Sequence, residues 1–114
     1  IGADIEWWPG GYDNFWVVDE AAGKTLKPIA SLVDPASGRS VKIISSEAGV
    51  QFYSGNFLDG SRNRDSGSPM NQYAGLCLET HGFPDAPNHK NFPSVILKKG
   101  EEYRQTTIYQ FSVE

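Results

Sequence analysis

The sequence predicts an all-β chain, an antiparallel β-sandwich or barrel, on three observations. Its apolar stretches are short, and clusters of Gly, Pro, Asn, Asp and Ser separate them at the spacing typical of such folds. The closing stretch alternates with period two: Tyr103, Gln105, Thr107, Tyr109, Phe111 and Val113 fall on one face, Arg104, Thr106, Gln110 and Ser112 on the other, and only Ile108 breaks the pattern. No segment sustains the period of about 3.6 residues that marks a helix.

In chain order, Phe15, Trp16, Val17 and Val18 are the first candidate strand. Residues 29–33 and 41–45 flank Asp34-Pro35-Ala36-Ser37-Gly38, whose residue types favour a tight reversal, so the two runs are expected to form a hairpin. Further strands are expected at 50–53 and 74–80. Val95, Ile96 and Leu97, then Lys98-Lys99-Gly100-Glu101, then residues 103–113 read as strand, turn and strand, a second hairpin. Residues 55–72 and 82–93 carry Asp59-Gly60-Ser61, Asp65-Ser66-Gly67-Ser68-Pro69 and the prolines Pro84, Pro87 and Pro93, and do not read as regular structure. Irregular segments of this length are often binding loops; they are equally suited to pack against sequence outside this chain.

With 114 residues, 39% of them apolar, the chain is expected to form a single β domain over residues 1–114. No apolar run approaches the ~18 residues of a membrane span. A formal net charge of −4, with the 10 Lys and Arg dispersed, argues against nucleic acid or an anionic membrane as partner. Cys77 is the only cysteine, so neither an intramolecular disulfide nor a thiolate cluster can form, which suits a reducing compartment; the expected location is cytoplasmic. The chain starts at Ile1 with no leader before it, and is expected to be a piece of a longer protein.

Strand alternation isolates the polar residues that could carry chemistry. Over residues 74–81, Leu76 and Leu78 share one face, while Gly75, Cys77, Glu79 and His81 share the other. Small neighbours leave room for a ligand beside Glu79, a candidate general base; alternatively Glu79 points into solvent or forms an ion pair. Gln51 and Tyr53 share a face, where an amide and a phenol could bind hydroxyls, unless Gln51 is simply an exposed strand residue. Asp13 follows Gly10-Gly11-Tyr12 and could accept bonds from a ligand or close an Asx turn. Trp7, Trp8, Tyr12, Phe15 and Trp16 could stack on a sugar, but core packing is the expected role for most of them. His81 and His89 form no ligand spacing with Glu79 that indicates a metal, and Cys77 reads as an inert buried thiol. No serine-hydrolase elbow, P-loop or dinucleotide fingerprint is present.

Several blocks, in order, resemble the aldose 1-epimerase (galactose mutarotase) family. They are Gly10-Gly11-Tyr12-Asp13, the stretch from Gly49 to Gly60 containing Val50-Gln51-Phe52-Tyr53-Ser54-Gly55-Asn56, Cys77-Leu78-Glu79-Thr80, Phe83-Pro84-Asp85-Ala86-Pro87-Asn88-His89 and Asn91-Phe92-Pro93. Gly100-Glu101-Glu102-Tyr103, Thr106-Thr107 and Phe111-Ser112-Val113 fit as well. The resemblance implies the C-terminal part of a large antiparallel β-sandwich, the galactose-mutarotase-like supersandwich, binding a free aldose across one sheet. It implies Glu79 as general base and Asp13 and Gln51 as ligands for sugar hydroxyls, with no cofactor and no metal. Two positions depart from the family pattern: Asn14 stands where its Gly-Tyr-Asp-His has His, and His81 where its Leu-Glu-Thr-Gln has Gln. The family's general acid, a His supported by a second His and an Arg, lies before the region this chain matches, and neither His81 nor His89 takes that place. The implied activity is anomer interconversion of a free hexose, with the base supplied here and the chain inactive or very slow on its own. The implied partners are the aldose and the missing N-terminal part of the fold or a second copy of the chain. Two other readings compete: a non-catalytic carbohydrate-binding module, and a structural fragment whose open sheet edges need a partner. No Lys or Arg cluster near the matched residues favours a phosphorylated hexose.

Overall fold

The structure, a computed structural model, describes residues 1–18 and 25–113. Among the described residues the chain is nearly all β, with two antiparallel sheets of three strands each. Its strands are β1 (Asp13–Val17), β2 (Lys27–Val33), β3 (Arg39–Ser45), β4 (Gly49–Tyr53), β5 (Cys77–His81) and β6 (Thr107–Val113). Short 3-10 helices occupy Gly2–Trp7 and Ala86–Asn88. One sheet has the order β1-β4-β5 and the other β2-β3-β6. The chain divides into two compact units, the first comprising Ile1–Asn14 and Gln51–Glu79, the second Phe15–Val50 and Thr80–Glu114. Among the described residues, no helix is long and apolar enough to cross a membrane.

In the second unit the expected 34–38 hairpin is present, and its turn shows why. Asp34 exchanges backbone bonds with the far side of the turn: its N–H donates to the Arg39 carbonyl at 2.8 Å, and the Gly38 N–H donates to its carbonyl at 2.9 Å. Its carboxylate accepts the Ser37 hydroxyl at 2.6 Å and the Ala36 N–H at 3.2 Å, while Gly38 supplies a φ of +69°. The Ser37 bond first, then the Ala36 bond, hold the Asp34 carboxyl below the usual carboxylate range. A folded-state value below the unfolded one adds stability above the unfolded value, and that stability is lost as pH falls through the folded one. Asp34→Ala is therefore expected to lower the melting temperature at neutral pH, with the difference from the parent shrinking in strong acid. Melts across that range check this; an equal loss at every pH would refute the carboxylate's part.

Strand β3 is central in its sheet. It pairs antiparallel with β2, Val33 opposite Ser40, and with β6 from Arg39↔Val113 to Ser45↔Thr107. The β2 register slips between Pro28 and Ala30, a bulge placed where Pro28 has no N–H to give the ladder. The extra residue, Ile29, is buried, and Ile43 on β3 is fully buried. Burying one such side chain is worth about 1.5–3 kcal/mol. Ser45, also fully buried, is satisfied: its Oγ lies 2.9 Å from Thr107 Oγ1 and accepts the Glu47 N–H at 3.1 Å.

Several expectations need correction. The second hairpin has its turn, with the Glu101 N–H donating to the Lys98 carbonyl at 3.0 Å and Gly100 at φ +89°, but among the described residues Val95, Ile96 and Leu97 belong to no strand, and all three are exposed. Strand β6 begins at Thr107, not at 103, and its apolar residues Tyr109, Phe111 and Val113 face solvent. Period-two alternation defines a face but does not supply what covers it. The same reason corrects Cys77, which is exposed rather than buried, and the aromatic cluster, in which Tyr12 alone is buried while Trp7 is 77% and Trp16 52% exposed. Strand β5 starts at Cys77 because Tyr73, just upstream, takes a left-handed φ of +64° inside a turn. Strand β1 starts two residues earlier than expected, at Asp13.

The two long segments are ordered by local bonds. In the first unit, residues 59–70 fold back on themselves through an Asn63↔Pro69 bridge, with the Met70 N–H donating to the Arg62 carbonyl and the Gly60 N–H to the Met70 carbonyl, both at 2.8 Å. In the second, Phe83 and Phe92 stack with centroids 4.8 Å apart, and His89 pairs with Asp85 at 3.1 Å.

Candidate functional site

The three residues singled out from sequence all lie in the first unit, on neighbouring strands. Asp13 opens β1, Gln51 sits mid-way along β4 and Glu79 mid-way along β5, with β4 between the other two. Gln51 Nε2 donates to Asp13 Oδ1 at 2.6 Å, so these two side chains share a face. On β5, Cys77, Glu79 and His81 alternate onto one side. His81 stacks on Phe15 with ring centroids 4.7 Å apart, and Phe15 shares its face of β1 with Asp13. Asp13, Gln51 and Glu79 therefore project from the same side of one sheet. Gly49 contributes by having no side chain, because a Cβ there would lie 2.7 Å from the Phe15 ring that reaches toward His81.

A buried polar lock sets the position of Asp13. The Ser54 N–H donates to the Tyr12 carbonyl at 3.1 Å, and the Tyr12 N–H donates to Ser54 Oγ at 2.9 Å. Asn56 Nδ2 donates to the same carbonyl at 3.0 Å, and its Oδ1 lies 2.5 Å from Ser54 Oγ. Ser54 is only 3% exposed, so these bonds form out of water, where leaving one unmade costs most. Gly11, at φ +88°, passes so close that a Cβ would collide with Asn56 Oδ1 and lie 2.8 Å from Ser54 Oγ. Stacking of Tyr12 between Trp8, at 5.4 Å, and Phe52, at 5.1 Å, completes the support. Tyr53 is pinned as well, its hydroxyl oxygen accepting the Phe57 N–H at 3.1 Å.

Glu79 is exposed, and among the described residues no hydrogen bond or ion pair engages its carboxylate. Such a carboxylate is free to accept a proton from a ligand hydroxyl. Asp13 uses one oxygen on Gln51 and closes no Asx turn among the described residues. Neither histidine stands free: His81 Nδ1 lies 2.6 Å from the Gly82 carbonyl oxygen, and His89 is tied to Asp85. Among the described residues, no three His, Cys, Asp or Glu side chains are grouped to hold a metal ion. The second unit holds a separate cleft of about 640 Å³ lined by Glu47, Thr80, Val95, Leu97 and Tyr103 among others. There Tyr103 donates its hydroxyl to Glu47 at 2.8 Å; that bond, ahead of burial, holds the phenol above the usual tyrosine range.

Sequence reasoning found the three polar strand residues but missed Gly11, Ser54 and Asn56. Gly11 and Ser54 flank Asp13 and Gln51 at short range, yet Tyr12 and Ser54 are 42 residues apart, so only the folded chain shows the lock.

The aldose 1-epimerase family model matches residues 1–110. Galactose mutarotase of Rattus norvegicus is 43% identical over 103 residues, covering 90% of this chain and 30% of that protein. Galactose mutarotase of Bos taurus is 51% identical over 77 residues, covering 68% of this chain and 22% of the relative. Aldose 1-epimerase of Escherichia coli (strain K12) is 37% identical over 106 residues, covering 91% and 30%. The chain thus spans less than a third of the length of the relatives it matches.

Proposed function

The chain belongs to the aldose 1-epimerase family, and on that premise we propose that it supplies the general base and part of the sugar site for interconverting the α and β anomers of a free hexose such as galactose or glucose. Glu79 takes the proton from the anomeric hydroxyl while an acid protonates the ring oxygen. The bond from C1 to the ring oxygen breaks as the C1 carbonyl forms, the open aldehyde turns about its C1–C2 bond, and reclosure on the other face returns both protons. Asp13 and Gln51 hold sugar hydroxyls during that turn. A well-placed acid or base contributes roughly 10²–10⁴ in rate. The observation that carries the proposal is one sheet face presenting the bonded Asp13–Gln51 pair beside an unengaged Glu79 carboxylate.

The acid comes from outside the chain, since His81 and His89 are both committed to local structure. In this reading residues 1–114 act as one β domain of a longer, cytoplasmic epimerase, completed by the N-terminal part of the fold. An uncharged sugar suits the first unit, where six Asp and Glu stand against only Arg62 and Arg64, and Arg64 is bonded to the Ala74 carbonyl.

The test is a graft of this chain into the rat galactose mutarotase, replacing the matched segment, with polarimetry of freshly dissolved α-D-galactose. The graft is expected to accelerate mutarotation and the isolated chain to do so hardly at all. An isolated chain as fast as the graft would show that the acid is present here after all.

A further inference from the structure

The two edges of the β2-β3-β6 sheet are built differently. At the β2 edge stand Lys27 and Pro28, a register slip between Pro28 and Ala30, and the Asp34-Pro35 turn just beyond. A charge, a proline and a bulge are devices that keep an edge strand from pairing with another chain. Strand β6 has none of them. From Gln105 to Val113 there is no charged residue, proline or glycine, and the register on β3 runs unbroken from Arg39↔Val113 to Ser45↔Thr107. Among the described residues no strand lies on its other side. Phe111 and Val113, 77% and 74% exposed, extend the face that carries Ile43 out to this open edge.

The strand is self-complementary in the antiparallel sense. With a two-fold axis through Gln110, Tyr109 stands opposite Phe111 of a second copy, Ile108 opposite Ser112 and Thr107 opposite Val113, so all seven residues of β6 are paired. Odd-numbered residues meet odd-numbered ones, which keeps Tyr109, Phe111 and Val113 of both copies on one face. A slip of one residue would set Phe111 against Gln110 or Ile108 and join the apolar face of one copy to the polar face of the other. The charges nearest the paired rows are on β3: Lys42 beside Gln110 and Arg39 beside Val113. Across the axis the two Lys42 side chains would be three strand spacings apart, about 14 Å, beyond the Debye length of about 8 Å at physiological salt, so they oppose the pairing little.

We propose that β6 is a dimerisation edge: two copies of this chain pair β6 against β6, antiparallel about Gln110, and join their three-stranded sheets into one. This stands apart from the sugar-site reading. Phe111→Lys removes two aromatic cross-strand pairs from each dimer and puts a charge in their place, and is expected to weaken the dimer roughly ten-fold or more. Val33→Lys, an equally accessible apolar position on the β2 edge, should leave it unchanged.

The test is sedimentation equilibrium of the 114-residue chain over a range of concentrations, in parent, Phe111→Lys and Val33→Lys, with melting temperatures to show that each is folded. Support would be a parent species of twice the 12.5 kDa chain mass, dissociated by Phe111→Lys and not by Val33→Lys. Register is tested by mild oxidation in a Cys77→Ser background. Opposed residues of an antiparallel pair have Cα atoms about 4.5–5.5 Å apart, within disulfide range, so Gln110→Cys should link copies of itself. Ile108→Cys should not link to itself but should link to Ser112→Cys when the two are mixed. A chain that stays at 12.5 kDa at every concentration would overturn the proposal and leave the edge to a strand from a different polypeptide. Species that keep growing with concentration, a dimer indifferent to Phe111→Lys, or a dimer that Gln110→Cys does not link would equally overturn it.

Discussion

Glu79→Gln in the grafted enzyme is expected to slow mutarotation of α-D-galactose by roughly 10²–10⁴-fold, the range that a positioned general base contributes. The substitution keeps shape and polarity and removes only the ability to take a proton. Because Glu79 is exposed and unengaged among the described residues, its replacement should leave the melting temperature close to the parent's. The loss should fall on kcat, with little change in KM, since proton transfer occurs in the transition state and the proposed sugar contacts of Asp13 and Gln51 are untouched by the substitution. A rate within a few-fold of the parent's would remove Glu79 from the mechanism. A rate loss matched by a collapse in melting temperature would make it structural.

Gly11→Ala is expected to destabilise the chain by about 2–4 kcal/mol through two separate causes. The first is backbone conformation: φ is +88°, which L side chains disfavour. The second is space, because the added methyl would drive Asn56 Oδ1 and Ser54 Oγ away and break the lock around Tyr12. Gly10 separates the two. Its φ is +84°, yet nothing lies within 4 Å of where its Cβ would be, so Gly10→Ala should cost only the conformational part, about 1–2 kcal/mol. Urea denaturation of both variants decides it: equal losses would mean that the lock contributes nothing beyond backbone strain. The Gly11 variant should also bind galactose more weakly, since Asp13 directly follows the clamped Tyr12.

Those parts of the fold that depend on neighbouring residues were legible in the sequence. The β2–β3 hairpin follows from Asp34, Ser37 and Gly38, whose side-chain and backbone demands are met within the turn itself. What was not legible depends on distant sequence. Val95, Ile96 and Leu97 have strong strand character, but a strand needs an edge to pair with, and they pair with none among the described residues. Alternation placed Cys77 and the apolar residues of β6 on defined faces without saying whether those faces are covered. For the site, Gln51 and Glu79 marked chemistry because each is polar in an otherwise apolar strand stretch, and Asp13 because it follows Gly10-Gly11-Tyr12 at the entry to one. Their common face depends on the order β1-β4-β5, which brings together segments more than 25 residues apart in sequence.

The central claim is that one sheet face carrying Asp13, Gln51 and Glu79 forms the sugar site. A titration of the 114-residue chain with D-galactose, followed through its backbone amide NMR signals, tests that most directly. The account predicts saturable shifts concentrated at Asp13, Gln51, Tyr53 and Glu79. Shifts confined to the cleft lined by Glu47, Val95 and Tyr103, with those four residues unmoved, would contradict it.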